Sequence, residues 1–341
     1  MPIVLKSTQS AEMAHKVMRV LGRTLALAMM LAPGMPAHAA DTIRLSVQKT
    51  GTFSWELATI REAGLDKESD LALEVTELAS PEAGKIALRA GNADIMLSDW
   101  LWVSRERALG AKLTFYPYSS ALGAVMVPAS SPIKSLTDLK GRKLAVGGGP
   151  IDKSWLLLQA RMKQDGIDLK SEATIVYGAP PLIAAKALDG EMDASLNFWN
   201  FCAQLEAKGF RRLAGIEDIL PKLGAKGAVS AVGYVFDENW AASHRDAVAR
   251  FIAMTRKAKQ LLVTSDAAWD KIAPLTGTSD ATLLKTYRER YRDGIPRRSI
   301  DDEEKDARVL YRVLAETGGR DLVGPAAELD PGTFYHAVPG D

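Results

Sequence analysis

One cysteine, four histidines and no long apolar run set the first limits on this 341-residue chain. A lone Cys202 makes no intrachain disulfide, and its small or apolar neighbours make it an inert buried thiol. His15 and His38 fall in the first forty residues, leaving only His244 and His336 beyond them. Histidine triads, zinc sites and proton relays therefore lack parts. An excess of one charge is missing too: 43 Lys and Arg stand against 42 Asp and Glu. No basic stripe argues for nucleic acid. Beyond the amino terminus, no segment has enough uninterrupted apolar residues to cross a bilayer.

What is present begins with a leader pattern. Lys16, Arg19 and Arg23 precede a short apolar run, Thr24–Leu31, and then Ala37-His38-Ala39. This reads as a cleavable signal peptide over residues 1–39, with Met13 or Met18 as alternative starts and an uncleaved anchor as the rival. The expected product is a soluble protein exported to the periplasm. The composition, 47% hydrophobic and 25% charged, suits two globular domains.

Strand and helix patterns alternate from Asp41. Strands at 41–47, 71–78, 94–97 and 113–118 are separated by helices, which implies a mainly parallel sheet with covered faces. At Tyr118–Gly123 a strand follows a strand with no helix between, as where a chain passes into a second domain. A second alternating set runs from Leu144 through the strands 174–177 and 194–196. Val229–Phe236 is the expected return crossing, and helices follow to the end. The expected division is lobe I, residues 40–120 plus 231–341, and lobe II, residues 121–230. A repeat supports two related halves: Gly91, Asp94, Leu97 and Trp100 share a spacing with Gly190, Asp193, Leu196 and Trp199.

The stretch Leu144–Leu158 carries the chemistry. Gly147, Gly148 and Gly149 end a buried strand and lead into a helix, with Lys153, Ser154 and Trp155 at its start. Glycines let a ligand approach the backbone, and a helix N-terminus favours an anion. A plain strand-to-helix turn capped by Asp152 is the other reading.

Four tracts resemble the periplasmic substrate-binding proteins of ABC importers, in the nitrate/sulfonate/taurine branch: ALGAVMVPASSPIKS (121–135), LTDLKGRKLAV (136–146), ALDGEMDA (187–194) and Val229–Asp237. The resemblance covers about residues 41–320. It implies a type II periplasmic binding fold, two mixed-sheet α/β domains joined by hinge strands, with a ligand cleft between them. It also implies a non-enzyme that closes on its ligand and delivers it to an inner-membrane permease, with a monomer expected.

Ligands of open α/β sheets sit outside the carboxyl ends of strands. Six loops are therefore expected at the cleft: 49–55, 98–102, 118–120, 147–155, 178–180 and 197–200. They hold five of the seven tryptophans, with Trp240 and Trp269 left for the core. The candidate ligand-binding residues are Lys49, Thr50, Phe53, Trp55, Ser98, Trp100, Ser119, Gly148, Gly149, Lys153, Ser154, Trp155, Asn197, Trp199 and Asn200. Asp99 and Asp152 read as helix caps. Two lysines, a helix N-terminus and facing indoles suit a planar anion. Pyrroloquinoline quinone is the first choice, as a transported ligand and not a cofactor. An alkyl or aryl sulfonate, or a taurine-like compound, is the alternative.

Two other classes stay in view. Pyrimidine-precursor synthases share this architecture, but no His lies in any expected cleft loop. Asp301–Glu304 offers carboxylates to a metal without ligand spacing, and a solvated helix start explains it. The basic tract Arg288–Arg298 reads as a solvated loop between tail helices, or as a contact to the permease or the cleft rim.

Overall fold

The computed structural model describes residues 40–48 and 51–336. The expected signal at 1–39, and the site candidates Lys49 and Thr50, lie outside the described residues.

Ten strands form two five-stranded sheets. The first has the order β2-β1-β3-β10-β4, from β1 (Asp41–Gln48), β2 (Leu71–Leu78), β3 (Ile95–Ser98), β4 (Leu113–Ser119) and β10 (Val232–Asp237). The second has the order β7-β6-β8-β5-β9. Its strands are β5 (Gly123–Pro128), β6 (Lys143–Gly147), β7 (Thr174–Gly178), β8 (Ala194–Phe198) and β9 (Phe210–Gly215). Each sheet has three parallel strands, then one strand running antiparallel to both its neighbours: β10 between β3 and β4, and β5 between β8 and β9. The molecule is thus two mixed-sheet α/β lobes built on one plan. The chain leaves the first sheet after Ser119 and rejoins it at Val232, and these two residues pair with each other.

The sequence repeat has a structural basis. Asp94 and Asp193 each stand just before the third parallel strand of a sheet, and each binds the backbone of the strand beside it, β1 or β6. The Arg44 amide donates to Asp94 Oδ2, and the Lys143 amide to Asp193 Oδ2, both at 2.8 Å. Gly91 and Gly190 take φ of 71° and 74° where the preceding helices end, a conformation that favours glycine. Apolar alternation fixes the faces: Ile43, Leu45 and Val47 are all buried.

The helices that position the site are α1 (Thr52–Glu62), α2 (Pro81–Arg89), α3 (Trp100–Ala108), α4 (Lys153–Gln164), α5 (Pro180–Leu188) and α6 (Trp199–Ala207). A helical tail follows β10, with α7 (Arg245–Thr264), α8 (Ala281–Asp293) and α9 (Ile300–Val323), the last broken at Gly319. Helix α7 packs on α1, whereas α8 packs on α6 and α9 on α4. The tail therefore touches elements attached to both sheets.

The structure differs from the sequence reading in three places here. Strand β9 was not expected, because Arg211 and Arg212 interrupt its apolar pattern; Arg211 reaches back to the carbonyls of Ser131 and Ile133. The basic tract is no solvated loop, since most of it lies in α8. There Arg290 pairs with Glu206 of α6 at 2.8 Å, and Arg298 with Asp306 at 2.7 Å. Nor is the acidic start of α9 wholly solvated: Glu303 is buried and accepts the Ser230 amide at 2.8 Å. Among the described residues no helix is long and apolar enough to cross a membrane.

Candidate functional site

The carboxyl ends of β1, β2, β3 and β8, and the start of α4 beyond β6, converge on one cavity of about 520 Å³; the expected loop 178–180 does not line it. From the first lobe it is lined by Ser46, Thr52, Phe53, Ser80, Glu82, Lys85, Ser98, Asp99, Tyr118 and Ser119. The second lobe contributes Asp152, Lys153, Ser154, Phe198, Trp199 and Asn200.

Five helices begin at this cavity from βα loops of the parallel strands, and their first turns differ: Ser80 caps α2 by accepting the Ala83 amide at 3.2 Å. Asp99 caps α3 by accepting the Trp102 amide at 2.9 Å, and Asp152 caps α4 by accepting the Trp155 amide at 3.1 Å. Helix α1 starts after Gly51, and α6 after Phe198, and neither has a side-chain cap. One helix N-terminus without a side-chain cap thus comes from each lobe; the Trp199 amide of α6 is taken by the Leu122 carbonyl, which leaves the later first-turn amides and the positive dipole ends. Hydroxyls surround them. That of Ser46 is buried against the cavity with no hydrogen-bond partner. A buried polar atom in that state is costly, and a ligand oxygen would satisfy it.

The two described lysines that line the cavity each face a carboxylate. Lys153 of α4 reaches across to Asp99 at the start of α3, at 3.3 Å. Burial alone would raise the Asp99 pKa, but the Lys153 charge and the Trp102 amide overcome it and hold the carboxyl below its usual value. Burial pushes Asp152 the other way, upward, with the Trp155 amide offsetting part of the effect. Lys85 lies 3.9 Å from Glu82, with its ammonium 5.2 Å from the centroid of the Trp102 ring.

Beneath the cavity floor lies a buried polar cluster. Lys259 pairs with Glu56, which also accepts the Tyr234 hydroxyl. Burial lowers the Lys259 pKa and Glu56 opposes the shift. The Lys259 ammonium sits 3.9 Å from the centroid of the Tyr118 ring, and the Tyr118 hydroxyl donates to Thr52 at 2.8 Å.

The expected site residues fall into two groups. Phe53, Ser98, Ser119, Lys153, Ser154, Trp199 and Asn200 line the cavity. Trp55, Trp100, Gly148, Gly149, Trp155 and Asn197 do not. Trp155 is fully buried, edge-on to Tyr177 at 6.3 Å, because the first turn of α4 rotates it inward. Trp100 enters the core of the first lobe. Trp55 donates to the Leu275 carbonyl and packs with Trp269 and Tyr287. Asn197 is a brace: its amide donates to the Pro180 carbonyl at 2.9 Å and its oxygen accepts the Phe198 amide. A side chain at Gly147 would collide with that oxygen. Gly148, at φ 98°, makes the turn and donates to the Gly178 carbonyl. The glycine stretch thus forms a turn capped by Asp152, whereas α1 and α6 begin at the cavity without a side-chain cap. Trp199 is no isolated platform either, since Trp55 meets it edge-on at 6.2 Å.

Sequence reasoning missed Ser46, Ser80, Lys85 and Phe198. Strand β2 is parallel to β1, so its following loop, 79–81, belongs at the same edge. That signal was available, but Ser80 was read only as the cap of α2. Among the described residues no His or Cys lines the cavity; Cys202 is buried, and its thiol is pushed up to about 12 by that burial. Among the described residues no group of three or more His, Cys, Asp or Glu is placed to hold a metal.

Known proteins agree with this geometry at the level of fold. The periplasmic aliphatic sulphonate binding protein SsuA from Escherichia coli is similar at a TM-score of 0.65 and 19% identity, over 84% of this chain and 95% of that one. The alkanesulfonate-binding protein SsuA from Xanthomonas axonopodis pv. citri, bound to MOPS, gives a TM-score of 0.61 at 19% identity, over 86% and 97%. The desulfurization enzyme DszB gives 0.54 at 16% identity, over 84% and 97%. The chain shares their two-lobed periplasmic binding fold. No curated protein matches it significantly by sequence. Residues 60–267, more than half of the chain, match the family described as NMT1/THI5 like, and the chain belongs to that family.

Proposed function

We propose that this protein is the periplasmic solute-binding component of an ABC importer and that its cleft holds an organic sulfonate. One observation carries the reading: two uncapped helix N-termini, one from each lobe, open on the same hydroxyl-lined cavity. A sulfonate spreads one charge over three oxygens, so neutral donors and helix dipoles suit it without a dedicated cation. Both SsuA fold relatives bear sulfonate-binding names.

The planar quinone loses its supports. Its three carboxylates would need several cations, yet Lys153 is engaged by Asp99, and Glu82 and Asp152 add negative charge to the same walls. Four of the five indoles in the expected cleft loops, those of Trp55, Trp100, Trp102 and Trp155, do not line it. The enzyme reading is not preferred either, because among the described residues no Cys or His lines the cavity.

Calorimetric titration with a series of alkane- and arylsulfonates tests the proposal, beside pyrroloquinoline quinone and taurine. Saturable binding at micromolar concentration is expected for at least one sulfonate. Tight binding of the quinone with none of the sulfonates overturns it.

A further inference from the structure

The first turn of α1 places a side-chain donor at the cleft cavity. Thr52 opens the helix and lines the cavity. The Ser54 amide already serves the Gly51 carbonyl at 3.2 Å, and among the described residues no acceptor meets the Thr52 or Phe53 amide. The Thr52 hydroxyl has one described partner, the Tyr118 hydroxyl, which donates to it at 2.8 Å. A hydroxyl that accepts in this way keeps its own proton to give, and among the described residues no protein group takes it. Ser46, on the neighbouring strand β1, is 5% exposed and lines the same cavity with its hydroxyl unpartnered. Tyr118 itself is held in place. Its buried ring lies edge-on to Phe53 at 6.0 Å and to Tyr234 at 5.3 Å. The Lys259 ammonium, itself paired with Glu56, stands 3.9 Å from the ring centroid. Burial, reinforced by the Glu56 charge, holds the phenol well above its usual value, so it keeps its proton and remains a donor.

We propose that Thr52 donates its hydroxyl to a sulfonate oxygen, and that Tyr118 is the positioning residue that turns this proton into the cleft. The inference rests on the sulfonate reading and deepens it. Sulfonate oxygens only accept, and the start of α1 then meets them with groups that donate: the free first-turn amides and one oriented hydroxyl. A hydrogen bond to a charged acceptor is stronger than one to a neutral acceptor, so the contact favours the ionised head group. The two residues come from different elements. Thr52 begins α1, whereas Tyr118 is the last residue but one of β4, next to the point where the chain leaves the first sheet. The ligand contact is thus joined to the outgoing crossing through one hydrogen bond.

The test is calorimetry on the full chain with ethanesulfonate, butanesulfonate and benzenesulfonate. For whichever binds wild type most tightly, Thr52→Val should weaken binding about tenfold, as for loss of a hydrogen bond to a charged group. Thr52→Ser, which keeps the hydroxyl, should retain most of the affinity. Tyr118→Phe should weaken binding by a smaller factor. In the Thr52→Val background it should add nothing, because the phenol acts only through the threonine. Thermal melts check that each variant is folded. Wild-type affinity in Thr52→Val, or a Tyr118→Phe effect undiminished in that background, overturns the proposal and leaves the sulfonate reading standing. A wild type that binds none of the three sulfonates overturns that reading and this contact with it.

Discussion

The two lobes carry the same motif and use it differently. Gly91 to Trp100 ends in Ser98-Asp99-Trp100, and Gly190 to Trp199 ends in Asn197-Phe198-Trp199. In the first lobe the middle residue caps its helix and the tryptophan is buried in the core. In the second the middle residue is an exposed phenylalanine, the helix is uncapped, and the tryptophan lines the cavity. The first βα loops reverse the pattern: Gly51 leaves α1 open, while Asp152 closes α4. In the first lobe α1 is open while Ser80 and Asp99 close α2 and α3; in the second α6 is open while Asp152 closes α4, so the open helix follows the first strand of one set and the third of the other. A repeated scaffold need not present a repeated site; one residue before each helix decides which end meets the ligand.

The largest test of this contrast is a pair of truncations. Trp100→Ala should cost about 3–5 kcal/mol of stability, as for other buried large side chains, and Trp199→Ala distinctly less, both read from urea unfolding. In sulfonate titrations the order should invert, with Trp199→Ala weakening binding at least tenfold, ~1.4 kcal/mol. Equal stability losses for the two would remove the distinction. Next, Phe198→Asp makes the second lobe copy the first. Its extended backbone already suits a cap, so α6 should gain about 1 kcal/mol, while the added carboxylate should reduce sulfonate affinity by tenfold or more. Unchanged affinity would sink the role given to the α6 N-terminus.

The smallest effect concerns the tie between Lys153 and Asp99. Both groups are partly exposed, so the pair should contribute no more than about 1 kcal/mol. The Asp99 pKa is depressed in the folded protein, so its contribution is present above the unfolded carboxylate value of about 3.9 and is lost as pH falls through the lower folded value. The difference in urea midpoint between wild type and Asp99→Asn should therefore be largest near neutral pH and shrink below about pH 4. A difference that persists undiminished at pH 2.5 contradicts the ion pair.

Much of the fold was legible because apolar periodicity and turn residues agree with the final packing. Strands β1–β8 and the caps at Ser80, Asp99 and Asp152 follow from local pattern alone. Strand β9 was hidden because its arginines break the apolar pattern to serve partners outside the strand: Arg212 pairs with Glu206, and Arg211 reaches the 131–133 carbonyls. The site was only half legible. Sequence identifies which loops stand at strand ends, but not how far a helix turns a side chain: Trp155 and Trp100 begin helices at the cleft and still point into cores. The Lys153–Asp99 pair was invisible for the same reason, since it joins two lobes whose approach no local pattern encodes.

The tail helices bear on how the lobes can move. Helix α8 is fastened to α6 by Arg290 and Glu206, and Gln204 of α6 donates to the Tyr287 hydroxyl at 2.9 Å. A rotation of one lobe about the two crossing strands cannot leave this fastening unstrained. Helix α8 must travel with the second lobe or shear across it. The hinge thus works against a load, and the stiffness of that load helps determine how much of the ligand's interaction energy remains as measured affinity.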